Sequence, residues 1–143
     1  MLSIREMSEA DEEGVVRLLN CNFPHVGMTR RKLRARMDSG AVFLVAVSGS
    51  ELVGFADVVF GRSALLRGIA VKESFRGKGV GPKLVLAAAR EAAREGRLKI
   101  RLKVRKSNTS AIKTYEEAGF FVRREDLDAL GEPVYLMEKR LAT

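Results

Sequence analysis

The chain has 143 residues, 46% of them apolar and 31% charged, enough for one domain with a buried core and unlike a low-complexity or disordered tract. Its formal net charge of +8 and pI of about 10.1 favour anionic partners, whether nucleic acid, a ribosomal surface, a phosphorylated cofactor or an acidic substrate, without choosing among them. One cysteine, Cys21, excludes an internal disulfide framework and suits a reducing, cytoplasmic setting, and one histidine, His25, leaves no Cys/His cluster, so no metal is expected.

In chain order, "LSIREM" alternates as a short strand and turns acidic at once, without the apolar run of a signal peptide. "SEADEEGVVRLLN" predicts a helix over 8–20, with Ser8 as N-cap and Asp11 three residues on. After the break at "CNFPHVGM", "TRRKLRARMDSG" predicts a strongly basic second helix, capped by Thr29 and ended by Gly40. "AVFLVAV", "ELVGFADVVF" and "ALLRGIAV" are apolar, β-rich runs separated by "SGS" and "GRS", an antiparallel meander. None is long enough to span a bilayer. A glycine stretch, "FRGKGVGPKL", precedes the helix "KLVLAAAREAAREG", which Gly96 ends. "LKIRLKV" alternates strictly, one side apolar and one cationic. "SNTSAIKTYEEAG" is a short capped helix ending at Gly119, and "FFVRRED" and "PVYLMEKRL" close the chain as a strand pair. The strand–loop–helix–strand crossover joins parallel strands. The expected class is a mixed α/β sheet, mostly antiparallel, with helices on both faces, in one domain over residues 1–143.

The glycine stretch reads as a phosphate site. A helix start offers unpaired N–H groups and the positive end of the helix dipole, glycines permit close approach, and Arg76 and Lys78 add charge. Two known phosphate motifs fail. No Ser or Thr follows a Gly-Lys pair, as a P-loop requires. The dinucleotide pattern needs a small residue at Pro82 or Leu84, in a loop after the first strand.

What remains is Arg76-Gly77-Lys78-Gly79-Val80-Gly81 after the strand "LLRGIAV", the pattern Gln/Arg-x-x-Gly-x-Gly/Ala. Here the chain resembles the GNAT superfamily of acetyl-CoA-dependent N-acetyltransferases. Asn108, Ala111, Tyr115, Gly119 and Phe120 in "VRKSNTSAIKTYEEAGF", and the ending "VYLMEKRL", extend the resemblance over nearly the whole chain. It implies a sheet of six to seven strands with a parallel central pair, and acetyl-CoA as co-substrate. It also implies pantetheine contacts from the backbone of Ile69, Ala70 and Val71, and a pyrophosphate site on the N–H groups of Gly77, Lys78, Gly79, Val80 and Gly81. Asn108 would lie on the pantetheine side, and Tyr115 near the thioester sulfur as the acid for the departing thiolate. A backbone N–H near Val71 is the matching oxyanion donor.

Spacing alone reads two of these residues differently. Ala111, Ile112, Tyr115 and Ala118 share one helical face, which makes Tyr115 core, and Asn108 is a plausible N-cap. Pro82 has no N–H and removes one donor from the proposed cradle. In the branch that acetylates a ribosomal protein's N-terminus, the strand carries "L-E-V-R-x-S-N"; this chain has "LKVRKSN", with Lys103 at the acid's place. No general base stands out; Asp57, Glu73 and His25 are candidates. Arg101, Lys103 and Arg105, with the basic helix from Arg30 to Arg36, form either a solvated face or a cationic wall for an anionic acceptor.

The reading is therefore transfer of acetyl from acetyl-CoA to a primary amine in a ternary complex. The acceptor is a small amine, anionic or not, or a protein N-terminus or lysine, and a homodimer is compatible with the resemblance. The alternatives are a basic nucleic-acid or ribosome-associated module, for which few aromatics are available, and a CoA-ester-binding protein without turnover.

Overall fold

Apolar residues occupy both sides of the middle strands, and both sides are covered. The computed structural model describes residues 1–141, so the last two positions of the expected 1–143 domain lie outside the described residues. Its strands are β1 (Leu2–Glu6), β2 (Val42–Ser48), β3 (Glu51–Phe60), β4 (Ala64–Val71), β5 (Lys99–Arg105), β6 (Phe121–Leu127) and β7 (Pro133–Arg140). Its helices are α1 (Glu12–Asn22), α2 (Arg30–Asp38), α3 (Val80–Arg94) and α4 (Thr109–Glu117). The seven strands form one sheet in the order β1-β2-β3-β4-β5-β7-β6, antiparallel except for β4 and β5. The closing strands form the expected pair, with the last one, β7, inserted between β5 and β6.

Alternation along β2 shows why two helical layers are needed. Phe43 and Val45 join Val15, Leu19, Leu33 and Phe55 under α1 and α2. Leu44 and Ala46 join Leu84, Val85, Ala88, Ile100 and Leu102 under α3 and α4. A strand buried on both faces reads as a continuous apolar run rather than an alternating one. In β5 the alternation is visible: Ile100, Leu102 and Val104 are buried, and Lys99, Arg101, Lys103 and Arg105 are exposed.

Two helix starts differ from expectation. A 3-10 turn over Glu9–Asp11 precedes α1, because the Asp11 carboxylate accepts from the Ser8 N–H (2.8 Å) and hydroxyl (2.9 Å) while Arg5 holds its other side. Helix α3 begins at Val80 rather than after Pro82. Gly79 is its N-cap with φ +83°, and Pro82 sits in the first turn, where a missing N–H breaks no helical bond. Thr29 caps α2 as expected, accepting from the Lys32 N–H at 3.2 Å.

The charge of α2 is largely engaged within the fold. Glu12, buried at the start of α1, accepts from Arg30 Nε (3.2 Å) and Arg34 Nε (2.9 Å). Arg36 reaches down to Asp57 on β3. The expected basic helix is thus chiefly a clasp between α1, α2 and the sheet.

Candidate active site

The sheet has a short seam. Among the described residues, β4 and β5 pair only at Ala64↔Ile100 and Leu65↔Arg101, and beyond that β4 has no partner on its β5 side. On its other side, Asp57 pairs with Gly68 and Val58 with Leu66, which leaves Arg67 as the extra residue of a β-bulge. The bulge bends β4 where it leaves β5.

Hydrogen-bond alternation then fixes which backbone groups are free. The Lys72 N–H donates to the Val53 carbonyl at 2.7 Å, and in that register Ala70 forms the next bonded pair with Phe55. Ala70 therefore turns its N–H and C=O toward β3, whereas Ile69 and Val71 turn theirs away from it. Ile69 presents both groups to the open edge and Val71 its N–H, because the Val71 carbonyl accepts from Arg76 Nε. Gly54 brings the layers together: a Cβ there would lie 3.0 Å from both the Ala70 carbonyl oxygen and Leu84 Cδ1. This close approach seats the start of α3 against the end of β4.

The glycine loop faces that edge. The first intrahelical bond of α3 runs from the Lys83 N–H to the Gly79 carbonyl, 3.3 Å. None of the N–H groups of Gly77, Lys78, Gly79, Val80 and Gly81 donates to a protein acceptor among the described residues. Gly77 and Gly79 have φ of +77° and +83°, and the space where their side chains would stand is open. Successive N–H groups around left-handed glycines form a concave anion site. Arg76 is turned inward: Nε donates to the Val71 carbonyl (3.1 Å) and Nη2 to Asn22 Oδ1 (3.1 Å). The Lys78 ammonium lies 5.3 Å from the Phe75 ring centroid.

Asn108 caps α4, its Oδ1 accepting from the Ala111 N–H at 3.2 Å. Tyr115 is buried at 8% exposure in the α3/α4 cluster, its ring centroid 6.0 Å from that of Phe120. Burial pushes its phenol up to about 12, so the hydroxyl stays protonated at neutral pH. No hydrogen-bond partner holds that hydroxyl among the described residues.

On the other face of the sheet, a cavity of about 160 Å³ opens between the Pro24–Val26 turn and the bulge of β4. Leu19, Phe23 and Phe55 give it apolar walls. Its polar side is Asp57, 1% exposed, which accepts from Arg67 Nε (2.6 Å), Arg67 Nη2 (3.2 Å) and Arg36 Nη1 (3.1 Å). His25 lines the same cavity. Of the three candidate bases, the fold brings Asp57 and His25 together and leaves Glu73 in the turn after β4. The anticipated cationic wall is narrower than the sequence suggests. Arg105 is bound by Asp128 (3.1 Å), and Arg101 and Lys103 stand exposed on the cavity's face of the sheet. Sequence reasoning missed Arg67 altogether; the aspartate within an apolar strand was the one sign that a cation must meet it there.

The model of the acetyltransferase (GNAT) family matches residues 7–120. The ribosomal-protein-S18-alanine N-acetyltransferase of Escherichia coli superposes with a TM-score of 0.84 at 21% identity, covering 100% of this chain and 96% of that one. Ard1 from Thermoplasma volcanium gives 0.82 at 27% identity, with 99% of each chain covered. The PaiA N-acetyltransferase of Thermoplasma acidophilum, solved with coenzyme A, gives 0.78 at 24% identity, covering 98% and 99%. Comparison with curated protein sequences gives no match. With a family match over most of its length and the fold of these enzymes from end to end, the chain belongs to the acetyltransferase (GNAT) family and is an acetyl-CoA-dependent acetyltransferase.

Proposed function

We propose that the protein transfers acetyl from acetyl-CoA to a primary amine by direct attack in a ternary complex. The observation that carries this reading is the run of unengaged N–H groups from Gly77 to Gly81 beside the open edge of β4. Bound acetyl-CoA supplies an activated acetyl group as a thioester. The N–H groups of residues 77–81 hold its pyrophosphate. Ile69 offers its backbone N–H and C=O to the extended arm of acetyl-CoA, as a peptide adds to a sheet edge, while Ala70, paired with Phe55, holds β4 in register. Arg76 acts by fixing the loop to β4 and α1, and Lys78 contributes charge at the rim. Pro82 removes one donor, and the five before it carry the site. Asn108 positions the start of α4 beside the arm.

The Val71 N–H is the oxyanion donor, Tyr115 the proton source for the departing thiolate, and His25 the proton acceptor for the amine. His25 has this role because Asp57, the other basic group of the cavity, is occupied by two guanidiniums. The whole chain, residues 1–143, acts as one domain in a cytoplasmic setting. No helix among the described residues is long and apolar enough to cross a membrane.

Thermal shift with acetyl-CoA, followed by thiol release with a panel of small amines, N-terminal peptides and lysine peptides, tests the reading. A saturable shift with amine-dependent thiol release is expected. The absence of a shift, together with tight salt-dependent RNA binding, would overturn it in favour of a basic binding module.

A further inference from the structure

The Arg36–Asp57–Arg67 cluster joins three elements at one point. Arg36 comes from α2, Asp57 from β3, and Arg67 from the bulge of β4. An aspartate buried to 1% exposure is costly unless it is paired, and pairs of this kind are often no more stabilising than an apolar replacement. What the arrangement achieves is orientation. Two guanidiniums that would repel each other are held by one carboxylate, one of them through two N–H donors. Each guanidinium has five N–H donors, and together they direct three at Asp57. Both remain partly exposed, at 27% and 36% of the side chain, and both line the 160 Å³ cavity.

Formal charge on the cavity wall is therefore one positive in excess, with two arginines against one aspartate. That matches a single carboxylate better than a doubly charged phosphate. The apolar lining, Leu19, Phe23 and Phe55, suits a small apolar substituent. The volume equals about five waters at roughly 30 Å³ each, the scale of one amino acid.

We propose that Arg36 and Arg67, held by Asp57, form a carboxylate clamp in this cavity, and that the acyl acceptor is a small apolar amino acid or a compound of that shape. The clamp holds the carboxylate, the phenylalanines hold the side chain, and the amine is left toward the open edge of β4, one residue beyond Gly68. That the ligand is an acceptor rests on the acetyl-transfer reading; that the cavity takes a carboxylate does not.

Direct titration separates the two. Alanine, valine and leucine are each compared with their own amides by calorimetry, with and without CoA. The best acid is expected to bind about tenfold tighter than its amide, the difference one charge-assisted bidentate contact makes. Arg67→Gln or Arg36→Gln is expected to erase that difference. If no acid exceeds its amide on the wild-type protein, the clamp is refuted, whatever the variants do. If an amine carrying a phosphate, O-phosphoethanolamine, binds tighter than every acid, the carboxylate assignment is refuted. Preference for the acid without an acetyl-CoA thermal shift supports the clamp and overturns acetyl transfer instead.

Discussion

Arg76 closes onto Val71: its Nε donates to the Val71 carbonyl at 3.1 Å, while Nη2 reaches Asn22 on α1. The arginine of the glycine loop thus ties the loop to β4 and α1. Replacing it with methionine keeps the stem and loses both bonds. A charged hydrogen bond contributes about 1.5 kcal/mol or more, which corresponds to about a tenfold rise in KM for acetyl-CoA. We expect kcat to change much less, and lysine to rescue poorly, since one ammonium does not reproduce the planar fork. Steady-state kinetics with varied acetyl-CoA checks this.

The glycines of the loop answer to two different constraints. Gly79 has φ +83°, so valine there costs about 1–2 kcal/mol of backbone strain and displaces the N–H groups. Gly79→Val is expected to fold and to lose its acetyl-CoA thermal shift. Gly81 lies within α3, and an added Cβ would meet Val71 Cγ2 at 3.9 Å, an ordinary contact. Gly81→Ala should therefore raise the melting temperature of the free protein, by about 0.5–1 kcal/mol in helix propensity, yet weaken acetyl-CoA. A Gly81→Ala protein that binds like wild type would show that no phosphate comes near.

For Tyr115, phenylalanine removes only the hydroxyl. Because that group has no protein partner among the described residues, stability at pH 7 should move by less than about 0.5 kcal/mol, while kcat is expected to fall by about 100-fold or more. The phenol sits at about 12 in the folded protein, against about 10 when exposed. Its contribution to stability is complete below pH 10 and is lost as pH rises toward 12, at about 1.4 kcal/mol per pH unit. Denaturant titrations from pH 9 to 12 should show this slope in wild type and a shallower one in Tyr115→Phe. Activity should not fall on account of this residue below about pH 11.

At the opposite extreme of pH, Arg5 holds Asp11 at about 2, well below the usual carboxylate range, and the Ser8 N–H and hydroxyl assist. A lowered carboxylate stabilises the fold above its unfolded value, and the contribution is lost as pH falls through 2. Water reaches this pair, so the amount is about 0.5–1 kcal/mol. Arg5→Ala should move the acid limb of the melting curve toward pH 4, as measured between pH 2 and 6.

Gly54 gives a purely structural control. Alanine would place Cβ 3.0 Å from the Ala70 carbonyl oxygen and from Leu84 Cδ1, and 3.3 Å from Val80 Cγ1. Overpacking of this kind costs about 1–3 kcal/mol. Loss of stability with a proportionate loss of acetyl-CoA binding is expected, because the same contact seats the loop.

Much of this was legible in the sequence. The strict alternation of Lys99 to Arg105 stated both its strand and its buried side, and Thr29 and Asn108 announced the helices they cap. The left-handed glycines stood out because few other residues tolerate that backbone. What escaped detection depends on partners distant in sequence. Arg67 is an ordinary exposed arginine until the register of β3 makes it the extra residue of a bulge. Arg36 reads as one more cation in a basic helix until Asp57 is found beneath it. Ala70 and Val71 are equivalent in sequence, and only the Lys72–Val53 bond decides which of them faces the open edge. The helical pattern starts only at Lys83, after Gly81 and Pro82, although the first turn of a helix accommodates both.

The two-pair seam between β4 and β5 has a mechanical consequence. Four strands on one side and three on the other share few ladder bonds, so the two parts of the sheet are joined chiefly through the core they share beneath α3 and α4. On the proposed reading, a ligand paired with Ile69 adds a rung at this seam. Occupancy is then expected to reach beyond the site itself and to slow amide exchange on both sides of the seam together.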